Sequence, residues 1–197
     1  MRRRPRGAVF CPDLNPHPPT MKATLLRFAL IGAIIWLTLF FGAFALGELG
    51  IITDYSMTEV IGYSAMIASL SVIFFALKHQ RDVVQGGVLT FGQGVRLGLG
   101  LAAVGGLVVA VSDMVYTLVL NPSFFADYAR WQAEELAKKG WSADQIAQHT
   151  AQMQAEYTQL GPVGMAVVMF ATVFVLGAVI TLVAALLLKR TAKPVAA

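Results

Sequence analysis

One carboxylate, Asp113, lies inside an otherwise apolar run of the chain, and Ser69 and Tyr63 lie in a neighbouring apolar run. An ionisable side chain at membrane depth is a functional candidate, because the bilayer core penalises an unpaired charge. Asp113 is expected to hold helices together through a hydrogen bond to Ser69, Tyr63 or Ser64, to be a water-exposed acid near the membrane interface, or to relay protons or ions. Asp113, Ser69 and Tyr63 together form a predicted polar intramembrane site.

Other groupings of reactive side chains lack a residue that the chemistry needs. Gly62-Tyr63-Ser64 holds a serine in a glycine-x-serine arrangement, but no histidine lies within an apolar run to serve as its base. His149 could face a divalent metal with Glu134, Glu135 or Glu156, but the spacing matches no metal motif. The sequence therefore predicts no enzyme, with no catalytic, metal-binding or cofactor-binding residues and no cofactor.

The elements that position these residues are predicted to be transmembrane helices. Apolar residues make up 57% of the 197-residue chain and charged residues 13%, against about 25% charged in a soluble domain. A helix of ~20 apolar residues crosses the bilayer and satisfies all its own backbone groups. The predicted fold class is an all-α, four-transmembrane-helix bundle, with spans at about residues 25–49, 60–77, 95–120 and 163–188.

The positive charges are sorted along the chain in a way that indicates membrane orientation. Twelve of the fifteen lysines and arginines lie in the N-terminal arm, the connection between the second and third spans, and the C-terminal tail. Basic loops stay on the cytoplasmic side, so both termini and the middle connection are predicted to be cytoplasmic. The lipid bilayer, and not nucleic acid, is the expected partner of these cations.

Residues 121–162 carry helix start and stop signals twice over. Asn121-Pro122 is typical of an N-cap followed by proline at the first helical position, and Gly140 is expected to end that helix. Ser142-Ala143-Asp144-Gln145 predicts a capping box, and Gly161-Pro162 an end before the last span. We expect an extracytoplasmic amphipathic helical hairpin between helices 3 and 4, packed on itself and on the ends of the spans. The alternatives are a hairpin lying flat among the lipid headgroups and a groove for a partner.

A stripe of small residues on the third span predicts a close helix–helix contact. Gly98, Ala102, Gly106 and Ala110 recur every four residues and let another helix approach. The sequence therefore allows a homo-oligomer or a membrane protein partner that binds through this stripe or through the hairpin.

The ends of the chain fall outside the predicted membrane domain of residues 22–190. Residues 1–21, rich in arginine and proline, are predicted to be a disordered tail, and residues 191–197 a cytoplasmic tail. Met21 is an alternative start of translation. Cleavage of the first span as a signal peptide is a further alternative, because Ala43-Phe44-Ala45 imitates a cleavage site.

The middle connection carries the most distinctive residues. The second span ends in FFALKHQRD at residues 74–82, and Gly86-Gly87 and Thr90-Phe91-Gly92-Gln93-Gly94 follow. The glycines lack the Lys-Ser/Thr ending of a phosphate-binding loop, so they predict a tight turn flanked by cations. With Asn121-Pro122-Ser123-Phe124, these motifs resemble the bacterial family called domain of unknown function 4199 (DUF4199), over about residues 22–190. The resemblance implies a small protein of the bacterial cytoplasmic (inner) membrane and carries over no catalytic residues.

The sequence favours a non-enzymatic integral membrane protein that acts as a scaffold, a sensor or an accessory subunit. The alternative is a small oligomeric transporter or ion-coupled carrier that uses Asp113. A carrier requires a side chain that changes its protonation or ion binding during transport, whereas a scaffold does not. The chemistry of Asp113 therefore separates the two functions.

The predicted orientation can be measured with reporter fusions. Fusions after Gln85 and after Lys193 should report a cytoplasmic position, and fusions after Asp54 and after Gly140 an extracytoplasmic one, because the cations stay inside. An extracytoplasmic signal at Gln85 would contradict the bundle, since the cations of that connection determine its side.

Overall fold

A computed structural model describes residues 20–52 and 54–190, and this part of the chain is almost entirely helical. Two helices are followed by a π-helical turn, Gln80–Val84 after the second and Tyr116–Leu120 after the third. The helices are α1 (Met21–Glu48), α2 (Tyr55–His79), α3 (Phe91–Val115), α4 (Phe124–Lys138) and α5 (Ala143–Leu188).

Four of these helical segments are long and apolar enough to cross a membrane: Met21–Glu48, Tyr55–Val84, Phe91–Leu120 and Ala143–Leu188. The last three segments each contain the whole of a predicted span. Helix α1 ends at Glu48, one residue before the end of its predicted span. The segments extend beyond the apolar runs because their N-caps lie in the flanking polar sequence. Thr90 and Ser142 both form capping boxes. The hydroxyl accepts from the backbone N–H of the third helical residue, and the glutamine side chain at that position accepts from the backbone N–H of the capping residue.

The closest contact in the bundle joins α3 to α5. A Cβ added to Gly98 would lie within 3 Å of Thr181, and one added to Gly177 would lie 2.6 Å from the Cβ of Ala102. Gly98, Ala102 and Thr181 are fully or almost fully buried. The small-residue stripe of α3 therefore faces α5 of the same chain, and a partner would need a different surface.

Helix α1 lies at the periphery of the bundle. Thr24 and Trp36 are its buried residues, whereas Leu26 and Leu30 are 69% and 62% exposed. One polar link ties α1 to α2, since the Ser69 hydroxyl donates to the carbonyl oxygen of Gly32 over 3.0 Å. An extensive apolar surface on a transmembrane helix is what contact with lipid requires.

The connection between α2 and α3 is the predicted tight turn. Gly86 and Gly87 have positive φ values of 62° and 94°, which only glycine adopts without strain. Leu89 is fully buried, and it exchanges two backbone hydrogen bonds of 3.0 and 2.9 Å with Arg190. These bonds attach the turn to the end of α5 and close this end of the bundle.

The hairpin starts later than its sequence signals predict. Asn121 is predicted to cap α4, but α4 begins at Phe124. The Asn121 side-chain oxygen accepts from the Ser123 hydroxyl instead of a backbone N–H. The other boundaries agree with the sequence. Gly140 ends α4 with a φ of 86°, and Gly161 interrupts α5 with a φ of 62° and a ψ of 179° just before Pro162.

The contact between α3 and α5 predicts that the same substitution has different effects on stability at two glycines of α3. Gly98→Ala should lower the melting temperature in detergent, since overpacking costs about 1–3 kcal/mol. Gly105→Ala should leave it unchanged or raise it, because its Cβ meets no atom within 4 Å and alanine favours the helix by up to about 1 kcal/mol. Equal melting temperatures for the two variants would contradict this packing.

Candidate functional site

The structure does not bring together the three residues of the predicted polar intramembrane site. Ser69 donates to the Gly32 carbonyl, and Tyr63 is 64% exposed on the outside of α2. Within residues 20–52 and 54–190, the Asp113 carboxylate takes part in no hydrogen bond, although the Asp113 carbonyl accepts from the Thr117 hydroxyl over 2.9 Å. The expected bond from Asp113 to Ser69, Tyr63 or Ser64 is therefore absent from the described part of the chain.

The interior of the bundle offers little room for a substrate. A crevice of about 20 Å³ lies between α1, α2 and α3, lined by residues that include Phe28, Gly32, Ser69 and Leu101. A volume of this size accommodates about one water molecule. A second crevice of about 10 Å³ adjoins it beside Trp36, whose buried indole N–H has no partner among the described residues. These spaces suit an ordered water more than a substrate.

A hydrogen bond between the side chains of two helices lies at the opposite end of the bundle from the tight turn. The Tyr128 hydroxyl on α4 donates to a carboxylate oxygen of Glu59 on α2 over 2.7 Å. Burial and the adjacent Glu59 raise the pKa of the Tyr128 phenol above its usual range. The phenol therefore stays protonated and keeps donating at neutral pH.

An aromatic cluster surrounds this hydrogen bond and joins three helices. The ring of Phe124 packs on Tyr116 of the turn that ends α3, with centroids 5.3 Å apart. Tyr55 of α2 lies 6.2 Å from Tyr128 and 5.7 Å from Trp131. Aromatic pairs of this kind contribute about 0.5–1.5 kcal/mol each beyond their buried area. We call Tyr55, Tyr116, Phe124, Tyr128 and Trp131 the aromatic anchor.

The two arms of the hairpin also pack on each other. The Phe125 ring of α4 lies 3.9 Å from that of Tyr157 on α5, centroid to centroid. At the tip, His149 packs on Trp141 at 5.9 Å. Within the described residues, no group of three histidine, cysteine or acidic side chains lies close enough to hold a metal ion. Ring contacts thus join α4 to α5, and the Tyr128 hydroxyl joins α4 to α2.

Glu59 is the functional candidate that the sequence left unnoticed. Glu59 is the last charged residue before the second apolar run, and its neighbours in the sequence do not distinguish it from any other acid that flanks a span. The available signal is on α4, where Phe124, Tyr128 and Trp131 share one face, because the hydroxyl of a half-buried tyrosine usually finds a hydrogen-bond partner.

Four long apolar helices, closed by a tight turn at one end and by an anchored hairpin at the other, indicate a helical membrane protein. The family model described as a protein of unknown function, DUF4199, matches residues 27–190. The chain therefore belongs to the DUF4199 family, as its middle connection predicts. Neither a curated protein nor a solved structure matches the chain.

The position of Asp113 predicts the effect of removing its charge. Asp113→Asn should fold normally and melt at a temperature at least as high as wild type, because it removes a half-buried charge with no described hydrogen bond. If Asp113 is a structural acid, cells that carry the variant should behave like wild type. If Asp113 relays protons, the variant should lose its function, because asparagine does not exchange a proton. Loss of a growth phenotype or of ion flux in well-folded Asp113→Asn would favour the carrier.

Proposed function

We propose that the protein is a non-enzymatic scaffold, sensor or accessory subunit of the bacterial inner membrane that presents its hairpin to a protein partner. The observation that carries this proposal is the hydrogen bond between Tyr128 and Glu59, surrounded by the aromatic anchor. A water-facing segment needs no such attachment if it only connects two spans. An anchored hairpin holds one surface in a constant orientation, which reduces the ordering cost of binding a partner.

The distribution of charge supports an extracytoplasmic hairpin. Lys78, Arg81 and Arg96 flank the tight turn at one end of the bundle, and Lys189 and Arg190 follow α5 at that same end. The hairpin lies at the opposite end and carries acids as well as bases. By the positive-inside rule, both termini and the tight turn are cytoplasmic, and the hairpin faces the periplasm.

Three hydroxyl groups of the spans support a role without catalysis. Ser69, Ser112 and Thr117 donate to backbone carbonyls, at distances between 2.7 and 3.0 Å. A serine or threonine nucleophile instead needs a base within hydrogen-bond reach. These hydroxyls contribute to helix packing, and the binding surface lies outside the spans.

The tip of the hairpin is the surface we assign to the partner. Trp141 is 44% exposed there, beside Gly140 and the exposed Lys139. Tryptophan is enriched among the residues that dominate binding at protein interfaces. The exposed side of α5 that follows, with Gln148 and Gln152, supplies a polar rim of the kind that surrounds such residues.

A carrier that uses Asp113 is the second candidate, favoured by the absence of a described hydrogen bond to its carboxylate. A small four-span protein would need to oligomerise to build a path, since carriers usually place their sites between repeats. The exposed face of α1 is available for such contacts. The Asp113→Asn variant separates this candidate from the scaffold.

A photo-crosslinking amino acid introduced at Gln148 tests the scaffold in living cells. We expect a discrete crosslinked protein at Gln148, and none at Leu30, which is 62% exposed on the lipid-facing side of α1. Tyr128→Phe should reduce the yield severalfold, because losing a hydrogen bond to a charged group costs about 1.5–3 kcal/mol and loosens the hairpin.

The matched control is Tyr157→Phe, which removes a hydroxyl from the same hairpin while leaving the ring on Phe125. This variant should crosslink like wild type. The proposal fails if Gln148 crosslinks no more protein than Leu30. It also fails if Tyr128→Phe, at wild-type abundance, leaves the yield unchanged.

A further inference from the structure

Helices α1 and α3 begin at the same end of the bundle, and the second turn of α1 contacts the third turn of α3. A Cβ added to Gly100 of α3 would lie 2.7 Å from Cδ1 of Leu25 on α1. The ring of Phe28 lies 5.4 Å from that of His79 at the end of α2, so the start of α1 is at the tight-turn end. The two helices therefore enter the membrane side by side and in the same direction.

Two cations lie one helical turn before this contact. Lys22 precedes Leu25 by three residues and Arg96 precedes Gly100 by four, so each lies on the face of its helix that makes the contact. Helical side chains lean towards the N-terminus of their helix. Lys22 and Arg96 are both exposed, and they extend towards the same membrane boundary from adjacent helices.

No described acid compensates for this pair of like charges. The acid at this end of the bundle, within residues 20–52 and 54–190, is Asp82, and Arg81 binds it through two hydrogen bonds of 2.6 and 3.1 Å. The exposed cations of the same end are Lys22, Arg27, Lys78, Arg96, Lys189 and Arg190. An anion placed between Lys22 and Arg96 would replace their mutual repulsion by two attractions.

We propose that Lys22 and Arg96 bind the phosphate of an anionic phospholipid at the boundary between α1 and α3. The arginine can offer a bidentate fork to phosphate oxygens, and the lysine a compact charge beside it. Directly beyond Lys22, the exposed Leu26 and Leu30 provide an apolar surface for the acyl chains. A phospholipid matches both the charge and this surface, whereas a soluble phosphate matches the charge alone. The site goes beyond the proposed function and does not depend on the side of the membrane that this end faces.

Native mass spectrometry of the full-length protein tests the site directly. The protein is equilibrated with equal amounts of phosphatidylglycerol and phosphatidylcholine in mild detergent, and the ratio of the two bound lipids is measured. Wild type should retain phosphatidylglycerol preferentially. Lys22→Gln combined with Arg96→Gln should lower the ratio about tenfold, because the phosphate loses both of its ligands.

The matched control is Lys78→Gln combined with Lys189→Gln, which removes the same charge from the same end of the bundle. It should change the ratio less than twofold. Equal losses in the two double variants would overturn the site, because they would indicate a diffuse attraction to the whole basic end. A wild-type protein without preference for phosphatidylglycerol would overturn it as well.

Two further measurements complete the test. Inorganic phosphate at millimolar concentration should not displace the bound lipid, and displacement would show that the site recognises the free anion instead. Arg96→Lys keeps the charge but loses the fork, so it should give an intermediate ratio. If the double variant does not fold, Arg96→Lys replaces it, because this change is conservative and the residue is exposed. A wild-type ratio of bound phosphatidylglycerol to phosphatidylcholine in Arg96→Lys would then contradict the role of the guanidinium.

Discussion

The contact between α3 and α5 determines how the rest of the chain is arranged. Lipid tails are as apolar as leucine, so helices in a bilayer associate through close packing and not through removal of water. Gly98 and Ala102 on α3, and Gly177 and Thr181 on α5, remove the side-chain bulk that would separate these helices. Because α3 leads into α4 and α5 begins as the second arm of the hairpin, the same contact also places the two arms of the hairpin at one end of the bundle.

The two ends of the bundle are held together by different kinds of interaction. At the tight turn, backbone hydrogen bonds between Leu89 and Arg190 leave the charged side chains exposed. At the hairpin, aromatic rings and the bond from Tyr128 to Glu59 connect separate helices. An exposed cationic rim suits charged headgroups, and an anchored aromatic cluster suits a protein surface that must keep its shape.

The sequence predicts which segments are helices more reliably than which faces meet. The spans follow from charge-free runs, and the boundaries at Gly140 and Gly161 from residues that tolerate positive φ. Asp113 and Ser69 were expected to meet, but Ser69 faces α1. An apolar transmembrane helix has no polar face to indicate its rotation, so the alternation of polar and apolar residues gives no information there. The small-residue stripe of α3 is the exception, because it indicated the face that packs on α5. On the amphipathic α4, by contrast, the face with Phe124 and Tyr128 was evident from the spacing.

Helix α5 consists of two helical segments that are joined by a kink at Gly161. Gly161 departs from helical geometry, and Pro162 has no N–H with which to continue the hydrogen-bond ladder. The membrane half follows α3 through Gly177 and Thr181, while the other half follows α4 through Tyr157. The joint at Gly161 therefore separates the part of α5 that packs on α3 from the part that packs on α4, so that each part has its own packing partner.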